Sequence, residues 1–152
     1  MALTSGRTLN QKGTPAAPHM TLLAPLPVKA TVQLYTGGIT LWEISSGSLV
    51  KALTVANAQS LYRFAGICAK DALGGAANGD TKVEIQRGVF ILRNAAGADA
   101  LVAADLFADV FAVDDEFAAN NSAASTRVKI GQFLGFSEDG SGDVIVACGL
   151  GL

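Results

Sequence analysis

All four prolines of this 152-residue chain, Pro15, Pro18, Pro25 and Pro27, lie within its first 27 residues. A proline fixes φ and lacks an N–H, so this density excludes helix and the middle of a sheet but permits an extended strand along a sheet edge. The chain therefore divides into an extended proline-rich N-terminal arm, residues 1–27, and a body, residues 28–152, that is free to build regular structure. The arm carries Leu22, Leu23 and Leu26 as apolar anchors and Arg7 and Lys12 as cations. Such a segment suits a strap that docks across a partner surface.

From Val28 onward, short apolar runs alternate with turn residues. Val28-Lys29-Ala30-Thr31-Val32-Gln33-Leu34-Tyr35 and Ile39-Thr40-Leu41-Trp42-Glu43-Ile44 flank Gly37-Gly38 and predict a hairpin. Ser45-Ser46-Gly47-Ser48 turns the chain again into residues 49–54, and residues 63–69 form a further strand. Residues 71–80, rich in Gly, Ala, Asn and Asp, are a loop. Residues 81–92 alternate up to Gly88, where a bulge or register change is expected. A helical turn near residues 102–105 precedes a strand over residues 109–114; residues 126–136 are the longest strand candidate, and residues 143–150 the last. About eight or nine strands with little helix predict a mostly β fold, a compact barrel or sandwich.

Half of the residues are hydrophobic and only 16% are charged, with a mean hydropathy of +0.38, a balance that favours association over a solitary existence. No apolar run reaches the roughly 18 residues of a membrane helix. The opening residues lack the continuous apolar stretch of a secretory signal, so folding in the cytoplasm of the producing cell is expected. Residues 1–42 contain Arg7, Lys12 and Lys29 and no acid, whereas residues 43–152 hold 8 basic and 13 acidic residues. A sparse basic arm before an acidic body argues against nucleic acid as a partner, because phosphate binding needs clustered cations.

Catalytic chemistry finds few components. The sole histidine, His19, lies in the arm, away from any fixed Ser-His-Asp or Cys-His geometry. Cys68 and Cys148 sit in apolar strand-like runs with no C-x-x-C spacing and are expected as buried thiols rather than a disulfide or metal ligands. Asp114-Asp115-Glu116 and Glu138-Asp139-Gly140-Ser141-Gly142-Asp143 lack the regular spacing of a calcium loop and are expected as solvated turn acids. Gly74-Gly75-Ala76-Ala77-Asn78-Gly79 has no Lys-Ser/Thr ending, so it is no phosphate loop. Trp42 is expected as a core or interface aromatic, with sugar stacking the alternative. No catalytic, cofactor-binding or metal-binding residue is assigned, and the expectation is a non-enzymatic protein that binds protein surfaces.

Three motifs in order carry a resemblance: the strand Glu84-Ile85-Gln86-Arg87-Gly88-Val89-Phe90-Ile91-Leu92; Ala103-Ala104-Asp105 followed by Asp109-Val110-Phe111-Ala112-Val113-Asp114-Asp115; and Ser125-Thr126-Arg127-Val128-Lys129-Ile130-Gly131-Gln132-Phe133-Leu134-Gly135-Phe136. Together they resemble the capsid cement, or head decoration, proteins of tailed bacteriophages. The resemblance covers the second half of the chain; residues 28–83 share only its texture, and the arm lies outside it. It implies a β-barrel or β-tulip-like domain that forms a homotrimer on the outer surface of the expanded virion head, bound to the major capsid protein. On that reading residues 1–27 add an arm to the capsid lattice, and the family defines no catalytic residue. The alternatives are a virion-surface glycan-binding adhesin module and a tail structural component.

Overall fold

A computed structural model describes residues 21–53 and 58–149 of the chain. In chain order the strands are β1 (Thr21–Leu22), β2 (Leu26–Pro27), β3 (Gln33–Leu34), β4 (Ile39–Glu43), β5 (Ser48–Lys51), β6 (Tyr62–Cys68), β7 (Ala72–Leu73), β8 (Lys82–Val83), β9 (Ile85–Asn94), β10 (Asp109–Ala112), β11 (Phe117–Ala119), β12 (Lys129–Phe136) and β13 (Val144–Cys148). Two single 3-10 turns, Gly97–Asp99 and Ala103–Asp105, sit between β9 and β10. Strand makes up 46% of the described residues and helix 5%, in one small, mostly β domain built on a closed five-stranded barrel.

The barrel runs β9-β13-β12-β10-β11 and closes where β11 pairs in parallel with the end of β9, Phe117 opposite Arg93 and Ala118 opposite Asn94. Closure removes both sheet edges from solvent. Stave β13 alternates as a one-sided sheet requires: Val144, Val146 and Cys148 are buried while Ile145 and Ala147 are half-buried on the outer face.

A side sheet, β6-β4-β5, branches from the barrel at β9. Ile85 and Gln86 pair with β6, whereas residues 88–92 pair with β13, so β9 changes neighbours at Gly88. Gly88 has φ 153°, a conformation that favours glycine; where a bulge or register change was expected, the strand changes partner and its pairing with β13 runs in unbroken register from Gly88 to Leu92. Beyond the fork β6 leaves β9, and the freed carbonyls of Phe64 and Ala65 accept Nη2 (3.2 Å) and Nε (2.7 Å) of Arg87.

Both faces of the side sheet are buried. Ile39, Leu41, Val50, Phe64 and Ile67 join the barrel core around Phe133, Ile130 and Val146. Their neighbours Leu49, Ala65 and Cys68 face a second cluster completed by Val28, Leu34, Val83 and Ile85. The N-terminal segment covers this second cluster. Thr21 and Leu22 pair with Arg87 and Gln86, the Leu23 N–H donates to the Ile85 carbonyl (2.9 Å), and β2 pairs with β8.

Three sequence expectations are corrected. Residues 28–35 do not form a hairpin with residues 39–44: β3 pairs instead with β7, and β4 lies between β5 and β6. The run is broken at Thr31, whose φ is 61°, and by the Val32 N–H donating back to the Lys29 carbonyl (3.2 Å). The longest strand is β9, not residues 126–136, because Ala123, Ala124 and Ser125 all have positive φ and hold Thr126 in a turn, delaying β12 to Lys129. The acids Asp114, Asp115 and Glu116 form a turn, but a buried one, with Asp114 at 0% exposure. Asp114 Oδ1 accepts the N–H groups of Glu116 (2.7 Å) and Phe117 (2.8 Å), and the Asp115 carbonyl accepts the Ile39 N–H (2.8 Å), so the turn staples the barrel to the start of β4.

Candidate functional site

The segment between β9 and β10 is built to present apolar side chains. Asn94 clamps its base: Nδ2 donates to the Leu101 carbonyl and Oδ1 accepts the Leu101 N–H, both at 2.9 Å, while the Leu101 side chain is buried in the barrel core. Arg127 Nη2 reaches Asp99 Oδ2 at 2.7 Å, and Asn121 Nδ2 donates to Asp99 Oδ1 at 2.8 Å. These two donors, the guanidinium foremost, hold the Asp99 carboxyl below its ordinary range. With its base held on both sides, the segment makes its second 3-10 turn, closed by Asp105, whose Oδ2 accepts the Val102 N–H (2.8 Å).

Past Leu101 the apolar residues face outward. Val102 and Leu106 are exposed, and Phe107 is 62% exposed. Phe107 also has φ 69°, left-handed backbone that costs a bulky residue about 1–2 kcal/mol. Two hydrogen bonds to the neighbouring stave hold it there: its N–H donates to the Phe133 carbonyl and its carbonyl accepts Gln132 Nε2, both at 2.8 Å. On that stave Phe136 is exposed, its ring edge-on to buried Phe133 with centroids 5.2 Å apart. The segment thus exposes Val102, Leu106 and Phe107, the stave it is bonded to exposes Phe136, and the acids Asp105 and Asp109 lie in the same stretch of chain, Asp109 paired to Lys129 (2.9 Å). Its chemistry is that of a contact surface: apolar side chains on a rigid support with acids at the margin.

Of the arm residues singled out in the sequence, Leu22 is exposed, whereas Leu23 and Leu26 are partly buried against the second cluster of their own domain. Arg7 and Lys12 lie outside the described residues, as does His19. Trp42 is half-buried against the second cluster. Cys68 and Cys148 are both buried and share no disulfide. Burial pushes the Cys68 thiol up to about 11, and its Sγ–H donates to the Lys70 carbonyl (3.0 Å), so it is a poor nucleophile. Asp139 Oδ1 accepts the N–H and hydroxyl of Ser141, which accounts for its exposed turn. No cluster of three or more His, Cys, Asp or Glu side chains with metal-binding geometry occurs among the described residues.

The outward face of residues 102–107 was not singled out by the sequence reading. The available signal is the adjacent pair Leu106-Phe107, which breaks alternation and stands between Asp105 and Asp109. No family model matches the chain, and neither do any curated proteins or solved structures.

Proposed function

We propose that the protein is a head-decoration protein of a tailed bacteriophage, a non-enzymatic cement that sits as a homotrimer on the outer surface of the expanded head and bridges major capsid subunits. The observation that carries this reading is Phe107, an aromatic ring held outward at φ 69° and 62% exposed on a braced barrel. Backbone strain that delivers an apolar ring to solvent has no use in an isolated domain, and it gains one when the ring is buried by a neighbour. The same segment contains Ala103-Ala104-Asp105, one of the motifs of the resemblance.

Linkage is the mechanism. A protein that binds only the expanded lattice stabilises it by RT ln(1 + [L]/Kd), about 2.7 kcal/mol per site at a hundredfold excess over Kd. Joining three copies raises the effective concentration of each contact and slows release of the whole. The arm contributes residues 1–20 to this docking, since residues 21–27 lie along the domain's own strands.

The test is occupancy of expanded heads, read by co-sedimentation and by cryo-electron microscopy of the particles. The native chain is expected at regular lattice positions in threes. Phe107→Gly is expected to stabilise the isolated domain by up to about 1 kcal/mol, through relief of the left-handed strain, while lowering occupancy at least tenfold. Deleting residues 1–20 is expected to leave the domain folded and to weaken binding. Full occupancy by Phe107→Gly, or no binding of the native chain to heads, overturns the reading.

A further inference from the structure

The fork between barrel and side sheet holds two adjoining cavities, about 270 Å3 and about 350 Å3, that share Arg63, Phe64 and Arg87. The smaller is apolar, walled by Leu23, Leu26, Trp42 and Ile85. The larger adds Tyr62, Gln59 and Lys129. Three of the eight cations of residues 43–152 thus converge on one groove, and among the described residues no carboxylate lines either cavity. In a body with 13 acids this is a local inversion of charge.

The three cations are differently engaged. Arg87 gives Nε and Nη2 to the Ala65 and Phe64 carbonyls and so blocks strand addition at the open edge of β6, leaving side-chain recognition as the way to bind here. Lys129 has an exposed partner, Asp109. Arg63 is exposed and lies opposite Trp42 across β4 and β6, and its guanidinium makes no hydrogen bond or ion pair among the described residues. A guanidinium with open donors beside an apolar pocket fits a carboxylate whose neighbouring side chain is apolar.

We propose that this groove binds an acidic segment of a partner protein, one leucine-sized side chain entering the Trp42 pocket while flanking carboxylates meet Arg63 and Lys129. The pocket is below the usual size for a drug-like ligand and suits a single side chain. A polyanion such as single-stranded nucleic acid is disfavoured, because the rest of the body is acidic and repels an extended phosphate chain. The site meets the Phe107 face only through Lys129, whose partner Asp109 stands beside that face, and it does not rest on the capsid reading.

Trp42 is the only tryptophan in the chain, so its emission reports on the pocket directly. The probe is a blocked peptide of alternating aspartate and leucine, titrated into the full chain at low salt. A saturable change in Trp42 emission is expected, weakened roughly tenfold or more by Arg63→Glu and only about threefold by Arg63→Lys. Replacing the leucines of the peptide with glycine is expected to lose at least about tenfold, since it empties the pocket. Arg63 is exposed, so neither variant threatens the fold, and circular dichroism checks this. The proposal is overturned by an Arg63→Glu titration equal to the native one, by an oligothymidylate binding as tightly as the leucine peptide, or by no emission change at millimolar peptide.

Discussion

Strands β13 and β6 each hold five apolar residues but bury them in different patterns. In β13 burial alternates, Val144, Val146 and Cys148 inward and Ile145 and Ala147 outward. In β6 every residue from Phe64 to Cys68 is buried, Phe64 and Ile67 against the barrel core and Ala65 and Cys68 against the second cluster. The barrel is therefore a one-sided sheet closed on itself, and the side sheet is the filling between two apolar layers. The first protects its edges by closure; the second leaves an edge at the fork and covers it with Arg87. Stability in the barrel should thus depend on its interior, and in the side sheet on a few cross-layer contacts.

The sharpest way to break this contrast is to cut one core at a time. Phe133 is fully buried in the core that both regions share, and Phe133→Ala is expected to cost about 3–5 kcal/mol in urea denaturation, lowering protection from hydrogen exchange throughout the domain. Leu49 lies wholly in the second cluster, and Leu49→Ala is expected to cost about 2–4 kcal/mol, speeding exchange in β4–β6 while leaving the slowest amides of β12 and β13 unchanged. Uniform acceleration in both variants would make the two regions one cooperative unit. Next in size is Arg87→Met, which preserves apolar bulk but leaves the Phe64 and Ala65 carbonyls without their donors. A loss of about 1–3 kcal/mol is expected, with faster exchange concentrated at residues 62–66. Unchanged exchange there would mean that the fork edge needs no cap.

The same contrast explains what could be read from the sequence. The one-sided alternation of β9 and β13 and the turn glycines around them carry their own signature, so the mostly β class, a break in pairing near Gly88 and the strand at residues 144–148 are legible. The partner of residues 28–35 is not, because it lies in a distant loop. The Thr31 N–H donates to the Gly75 carbonyl, the Gly74 N–H donates to the Val32 carbonyl, and a Cβ on Gly74 would stand 1.9 Å from the Lys29 carbonyl oxygen. That close approach is a tertiary property with no local pattern, and it replaces the expected hairpin. Asp114 and Asp115 misled for a related reason: charge type suggests solvent, whereas the backbone donors that bury Asp114 come from Glu116 and Phe117 once the turn has formed. At the candidate contact face the Ala103-Ala104-Asp105 turn was legible, but the outward direction of Phe107 is set by hydrogen bonds to residues 132 and 133.

The smallest expected effect compares the two regions through one ion pair each. In the side sheet Lys29 Nζ lies 2.7 Å from Glu43 Oε2, and Tyr62 adds its hydroxyl to Oε1 at 3.3 Å; hydrogen bonding from Lys29, then from Ser46, lowers the Glu43 pKa. At the barrel Arg127 does the same for Asp99. Both carboxyls have folded values below their unfolded ones, so each pair contributes in full above the unfolded values of about 3.9 for Asp and 4.3 for Glu and is lost as pH falls through the depressed folded values. Urea midpoints should therefore hold from pH 7 to about 5 and fall below about 4. Glu43→Gln and Asp99→Asn should each cost no more than about 1 kcal/mol at neutral pH and flatten that acid limb. Salt separates them: Glu43 is buried and Asp99 is 38% exposed, so 0.5 M salt, where screening acts within about 4–5 Å, should erase most of the Asp99→Asn cost and little of the Glu43→Gln cost. Equal salt sensitivity would mean that the side-sheet pair is as solvated as the barrel pair, which removes burial of Glu43 from the account of how the side sheet is held.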